Sequence, residues 1–564
     1  MIVGIDFGTS TSEIAFINDE GKPEVIPNHL GEIVTPSVVY IDENHKPIVG
    51  DSALEKFLLE PEATVIEIKR LLGTDETLTI RDHVYTPVEI ASYIVSYLVD
   101  CANNYLDQPV TGAVITIPAF STDAQRRATI LIGEKCGLKV ERLINEPTAA
   151  SLDYGIDRRE DCDKVLVYDF GGGTLDVTVL ELFEGVIEVE ASCGNNLLGG
   201  KDIDALLIEY MVDSIKKTSK TKVAADLHAM TRLKKAAEDC KIALSSAETF
   251  DIDLPFLSTN KKGNPIGYTH EMTRSTFEEM IKELVESTSD QINSALRDAS
   301  LSRSDIDLVL LVGGTTKIPF VSKHLESELG TVPKSHHDPV LSVVRGAAIE
   351  AGIIEGKYDE DALVLTDVCP YSLSVEVLRR INIYEEDVYC DILIKRNTTI
   401  PTTVRKIYHT AYDDQSQVVV KAFQGEGEYA EENIYLGEVR LKGIPKGKAG
   451  KEKIAVSFSY DLNGLLVVQA AIVSTGKNII VEIDTSNAAK EVDLEMWRDA
   501  LEARKYRSVI NRGDKILTTL DIDEDLADDI EESLMRLKRS LIAEADTDIL
   551  NELRDELLDL YGEI

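Results

Sequence analysis

One short acidic-aromatic-glycine turn occurs twice in this chain, and the repetition restricts the fold more than any other feature. Ile5-Asp6-Phe7-Gly8-Thr9 runs into an apolar segment. About 160 residues later, Tyr168-Asp169-Phe170-Gly171-Gly172-Gly173-Thr174 runs into Leu175-Asp176-Val177-Thr178-Val179-Leu180. Each copy reads as a strand, a glycine turn and a return strand. Two such hairpins predict a domain of two related halves, each giving one turn to a shared cleft. A cleft between lobes is a natural ligand site.

From Met1 to about Gly356, short β-branched runs alternate with longer helical stretches, which predicts an α/β domain. Val110 to Ile117 and Leu308 to Val312 read as buried strands, and Met230 to Leu244 and Thr276 to Leu296 as helices. Residues 358–367 pass from acidic to apolar and read as a linker that docks. Residues 368–487 then alternate in period two, with turns at Asp413-Asp414, Gly425-Glu426-Gly427 and Asn463-Gly464, and predict an all-β domain. In residues 488–564, Leu494, Trp497 and Leu501 fall at helical spacing and predict a small helical region. A chain of 564 residues exceeds one ordinary core, in keeping with this division.

The formal charge of −41, from 59 basic and 100 acidic side chains, repels phosphate backbones and anionic headgroups. Nucleic acid and membranes are therefore not the expected partners. The start Met1-Ile2-Val3-Gly4-Ile5 lacks the basic and apolar regions of a signal peptide. The seven cysteines are odd in number and scattered, which suits a reducing cytoplasm.

Glycine lets backbone N–H groups approach an anion closely, so Gly171-Gly172-Gly173-Thr174 is suited to hold phosphate. Asp6 and Asp169 at the turn entrances, with Asp176 inside the second hairpin, would then lie where carboxylates hold hydrated Mg2+. The alternative is a pair of ordinary turns, which the duplication disfavours. A third turn, Val312-Gly313-Gly314-Thr315-Thr316-Lys317-Ile318-Pro319, follows another buried strand. Neither Gly-x4-Gly-Lys-[Ser/Thr] nor Gly-x-Gly-x-x-Gly occurs, so the phosphate grip is expected from hairpins. Taken alone, Lys69 is one more helix-face charge, Pro118 a strand-ending proline, Arg126 a surface arginine, and Val418 and Val420 sandwich core.

With Ile144-Asn145-Glu146-Pro147-Thr148-Ala149-Ala150, these motifs come in the order and spacing of a known family. The chain resembles the seventy-kilodalton heat-shock (DnaK-type) chaperones over nearly its whole length. Leu365-Thr366-Asp367-Val368-Cys369-Pro370-Tyr371-Ser372-Leu373, Arg396-Asn397-Thr398-Thr399-Ile400-Pro401 and Phe423-Gln424-Gly425-Glu426 extend the likeness downstream. The shortened C-terminus and the Leu365 stretch look most like the HscC branch. The resemblance implies an actin-like two-lobed α/β ATPase domain over residues 1–357, a linker, a β-sandwich peptide-binding domain and a shortened helical lid.

It further implies ATP or ADP, Mg2+ and K+ as ligands, and a cytoplasmic, stress-response chaperone as the function. Asp6 and Asp169 would reach Mg2+ through water, and Gly8, Thr9, Ser10, Gly171, Gly172, Gly173, Thr174, Gly313 and Gly314 would meet the nucleotide. Lys69, Glu146, Thr174 and Asp176 would serve hydrolysis. Glu238, Lys241 and Ser245 would meet the nucleoside. Ile242 and Lys317 stand where the family commonly places adenine-stacking arginines, and Val340 where it places an aspartate. Pro118 and Arg126 would relay between nucleotide and linker. Val375, Val377, Leu378, Tyr408, Ala411, Val418 and Val420 would line the peptide site. Unfolded hydrophobic peptides, a J-domain co-chaperone and an exchange factor are the implied partners. A small-molecule kinase, an actin-like filament protein and a peptide binder with weak turnover are the competing readings; the β-domain disfavours the first two.

Overall fold

The computed structural model describes residues 1–155, 163–183, 185–260, 263–335, 338–358, 364–382, 385–483, 503–519 and 547–561, with residues 530, 534 and 537. The chain divides into two compact units, Met1–Ser486 and Asn487–Ile564.

The first unit contains two mixed sheets built on one plan. In the first, strand Ile2–Phe7 pairs antiparallel with Thr11–Ile17 and parallel with Gly112–Ile117, and Thr11–Ile17 continues to Pro23–Val25. In the second, Asp163–Phe170 pairs antiparallel with Leu175–Phe183 and parallel with Leu308–Val312, and Leu175–Phe183 continues to Val186–Asn195. Each duplicated turn therefore joins the two antiparallel strands at the same place in its sheet. The expected pair of related halves is present.

Helices Glu146–Gly155 and Ser342–Ile354 cross between the sheets. Gly346 makes the crossing possible, because any side chain there would run into the Ala149 carbonyl. Val114, Ile144, Ala149, Val167, Val312, Val344 and Ala348 form a core shared by both halves, while each lobe also has its own core. The lobes thus meet in close-packed apolar contact beneath the cleft.

Most sequence expectations correspond closely to observed elements. Helix Leu227–Leu244 begins three residues early, where Asp226 caps it by accepting from Ala229 N at 3.1 Å. The single helix expected over 276–296 is instead Arg274–Ser287 and Ser289–Asp298. Thr288 divides them: its hydroxyl donates to the Val285 carbonyl at 2.7 Å, competing with the helix ladder. The strand expected from Val110 starts at Gly112.

Residues 364–365 add a strand to the second sheet, parallel to Val186–Asn195, with Val364 opposite Val186. The docking expected of the linker is thus strand addition; residues 359–363 of it lie outside the described residues. Beyond it, two four-stranded sheets face each other over a core that includes Leu373, Val439, Phe458 and Val468. This is the expected sandwich.

In the second unit, helices Ala503–Thr519 and Thr547–Leu560 share a cluster containing Tyr506, Ile510, Leu550 and Leu557. The Tyr561 hydroxyl donates to the Val509 carbonyl at 3.0 Å. Leu494, Trp497 and Leu501 lie outside the described residues. Among the described residues, no helix is long and apolar enough to cross a membrane. The described cysteines are free thiols, and Cys162 lies outside that set.

Candidate functional site

The two hairpins face each other across the cleft and interlock. A Cβ on Gly173 would lie 2.6 Å from Thr9 Oγ1, so the first turn occupies the space that a side chain on the second would need. The third turn closes the group: Thr315 Oγ1 donates to the Gly171 carbonyl at 2.7 Å. Gly313, at φ +82°, approaches the Phe170 carbonyl so closely that a Cβ would lie 2.5 Å from its oxygen. Only glycine combines that dihedral with that approach.

Strand register places the acids. Asp169 is directly opposite Asp176 in the second hairpin, and Asp6 is opposite Glu13 in the first. A small cavity of about 80 Å³ is lined by Asp6, Gly8, Thr9, Ser10, Glu13, Lys69, Glu146, Asp169, Gly171, Gly172, Thr174, Gly313 and Gly314. Among these lining residues Lys69 alone is basic. Its ammonium donates to Glu146 Oε1 at 2.6 Å, with both side chains about nine-tenths buried. Thr116 Oγ1 donates to Asp6 Oδ1 at 2.6 Å, and Ala119 N to Asp176 Oδ2 at 3.3 Å.

Burial, and then the negative charge of Glu146, pushes Asp6 and Asp176 up to about 7. The same two causes hold Asp169 well above the usual carboxylate range. Glu13 is raised by burial and then by Asp6. Glu13 Oε1 and Asp176 Oδ1 are buried without a hydrogen-bond partner. Unpaired buried carboxylate oxygens are costly and call for a cation or a proton. The donor set fits Mg2+. Among the described residues no three acidic, His or Cys side chains converge as a metal cage, so water or phosphate oxygens would complete the shell.

Sequence reasoning passed over Glu13. The signal was present in the spacing, because Asp6 to Glu13 and Asp169 to Asp176 both span seven positions.

Beside this cavity a larger one, about 440 Å³, opens between the lobes, lined in part by Glu238, Ile242, Lys201, Lys235 and Arg70. Glu238 accepts from Lys201 at 3.3 Å. Lys241 instead turns to Asp204 Oδ2 at 2.8 Å and the Gly200 carbonyl at 3.2 Å, and Ser245 donates to the Lys241 carbonyl at 3.1 Å. Ile242 is 61% exposed. Lys317 pairs with Asp338 at 2.8 Å. Val340 lines the smaller cavity.

Pro118 begins a loop that reaches from this site to the β-sandwich. Ala119 N holds Asp176, while the Phe120 carbonyl accepts from Tyr371 Oη at 2.9 Å. Arg126 is buried rather than on the surface. It donates to Ala119 O at 3.4 Å, Asn145 Oδ1 at 3.2 Å and, across to the sandwich, Asn463 O at 3.2 Å. Asn463 Oδ1 accepts from Leu143 N at 2.9 Å, and Asn145 Nδ2 donates to Asp367 Oδ2 at 2.8 Å. Asp367, the loop after Pro118 and the sandwich turn at Asn463 share one network.

In the sandwich, strand Leu373–Asn382 pairs with Gln417–Gln424 only from Leu373 to Val375. Further on, the first strand bonds to Glu385–Ile394 and the second to Ile434–Lys442, so the sheet parts between them. Val377 and Val418 lie beyond the last paired residues and are half-buried against the core, as is Tyr408 on the other sheet. Val375 and Val420 are buried core residues. Leu378 follows Val377 and points to the opposite face. Tyr408 Oη donates to Asp391 Oδ2 at 2.7 Å, and Ala411 N to Gln415 Oε1 at 2.8 Å.

These features define a class: a duplicated two-lobed α/β fold with facing glycine hairpins over an acidic cleft, joined by a sheet-forming linker to a β-sandwich. The Hsp70 protein family profile matches residues 2–561, and the chain belongs to the Hsp70 family. The chaperone proteins DnaK of Thermotoga petrophila, Thermotoga maritima and Thermotoga neapolitana are each 40% identical to it over 562 residues. The match covers 99% of this chain and 92% of each relative.

Proposed function

We propose that this ATP-dependent Hsp70-family chaperone uses the hairpin cleft to bind and hydrolyse ATP and the sandwich opening to hold extended apolar peptide. The functional division is residues 1–357 for nucleotide, 358–367 for the linker, 368–487 for peptide and 488–564 for a shortened lid. The network from Asp176 through Ala119 and Phe120 to Tyr371, with Arg126 bridging to Asn463, carries this reading. It gives a change at the phosphates a bonded path to the peptide domain.

In the proposed mechanism, backbone N–H groups of both hairpins and the Thr9 and Thr174 hydroxyls orient the phosphates. Asp6 and Asp169 would hold Mg2+ through water, and the ion would supply neutralisation of charge at the phosphate oxygens. Lys69 moves from Glu146 to the γ-phosphate and stabilises the charge that builds on it as water attacks. Glu146 and Asp176 then orient that water. Glu238 meets the nucleoside, with Lys241 and Ser245 shaping the helix behind it. K+ would add to the neutralisation of charge in the same acidic cleft. Val377, Tyr408 and Val418 contact the peptide, whose backbone would pair with the freed strand edges.

A cytoplasmic setting, a J-domain co-chaperone and an exchange factor complete the proposal. The test is release of a labelled unfolded peptide from the full chain when ATP is added. ATP should accelerate release, and Arg126→Ala should abolish the acceleration. Release at one rate with and without ATP would remove the coupling.

A further inference from the structure

The turn that carries Lys69 also reaches across the cleft. Arg70 follows Lys69 in the short 3-10 helix Ile68–Leu71, entered through Glu67 at φ 61°. Ile68 and Leu72 are buried in the core of the first lobe, so the turn moves with that lobe. The guanidinium leaves it: Arg70 Nη2 donates to the Gly173 carbonyl at 3.1 Å and to Asp202 Oδ2 at 2.9 Å. Both partners belong to the second lobe.

Asp202 also accepts from Gly199 N at 2.7 Å, at the start of helix Gly200–Ser219. That helix is fastened to the second hairpin, since Gly200 N and Lys201 N donate to the Gly171 and Gly172 carbonyls at 3.0 and 2.9 Å. A Cβ on Gly199 would lie 2.5 Å from Gly173 N. Ile203 and Leu207 anchor the helix in the core of the second lobe. One guanidinium therefore ties the first lobe to the phosphate hairpin and to the helix behind it. The Arg70 and Asp202 side chains are 21% and 32% exposed, so water can replace the pair when the lobes part. Arg70 lines both the 440 Å³ cavity and a small cavity beside Pro118 and Thr174, forming a wall between them.

We propose that Arg70 is a cross-lobe clasp: its bonds to Gly173 and Asp202 hold the cleft closed over bound nucleotide and seat the adjoining Lys69 against the phosphates. It is a positioning residue, because it grips the hairpin and does not line the phosphate cavity. This inference rests on the nucleotide reading above.

The test is stopped-flow dissociation of a fluorescent ADP from the full chain with Mg2+, alongside single-turnover hydrolysis. Arg70→Ala should speed release about tenfold or more, the effect of losing a charge-assisted hydrogen bond. Arg70→Lys should fall between, because an ammonium cannot reproduce the planar fork. Asp202→Asn should speed release, and with Arg70→Ala should add little, since both remove one contact. A purely structural role would lower the melting temperature without this non-additivity. If Arg70→Ala and Arg70→Lys release ADP at the wild-type rate, or the two sites act additively, the clasp is wrong while the nucleotide reading stands. If the wild-type chain binds no ADP, both fall.

Discussion

The two ends of the proposed nucleotide cleft are built differently. At the phosphate end, acids are fixed by strand register, glycines by backbone contact, and Lys69 by a buried pair with Glu146. At the nucleoside end, the groups stand on helix surfaces: Ile242 projects into solvent and Lys317 pairs with Asp338. A site made by a ladder tolerates little change, because shifting one residue moves every neighbour. A site made on a helix face can exchange side chains singly. The family resemblance places this chain's departures, Ile242 and Lys317, at that end.

The contrast predicts a descending series of effects. Lys69→Ala should slow single-turnover hydrolysis by about 100-fold or more while ATP still binds, since a charge acting on the transition state is lost. Hydrolysis at the wild-type rate would break the assignment of the phosphate end. Val418→Phe should weaken peptide binding about tenfold or more by filling the sandwich opening; fluorescence anisotropy of a labelled peptide reads this directly, and unchanged affinity would move the peptide site elsewhere. Ile242→Arg should raise ATP affinity several-fold by restoring a cation over adenine, worth about 1 kcal/mol. Calorimetric titration that shows no gain would mean the base does not lie over that helix.

The smallest effect concerns protons. Asp6 and Asp176, raised to about 7, are partly protonated at neutral pH in the nucleotide-free cleft. Because their folded values exceed their ordinary ones, the stability tied to their protonated forms is complete below about pH 4 and lost as pH rises through about 7. A cation needs them ionised, so Mg-ATP binding at pH 7 should release protons, on the order of one from this pair. Titrations in buffers of different ionisation enthalpy would measure it, and proton uptake would contradict the sign.

Much of this was legible in the sequence because the deciding residues repeat. The two Asp-Phe-Gly turns announced two lobes, and the period-two pattern after Val368 announced a sandwich. Thr288 was not legible as a helix break, since its hydroxyl competes with the backbone only in context. Arg126 read as a surface charge because only the fold brings Ala119, Asn145 and Asn463 around it. Val375 and Val420 share a period with Val377 and Val418, yet the first two are core and the latter two border the opening. Alternation gives the face and not the depth. Glu13 was hidden for the opposite reason: its seven-residue offset from Asp6 matters only beside the same offset in the second hairpin.

Phosphate chemistry in the cleft and peptide in the sandwich should be coupled through the network around Arg126. Single-turnover ATP hydrolysis by the full chain, with and without an unfolded apolar peptide, tests it most directly. Coupling predicts faster hydrolysis with peptide and loss of that acceleration in Arg126→Ala. One rate in the presence and absence of a peptide shown to be bound would contradict it.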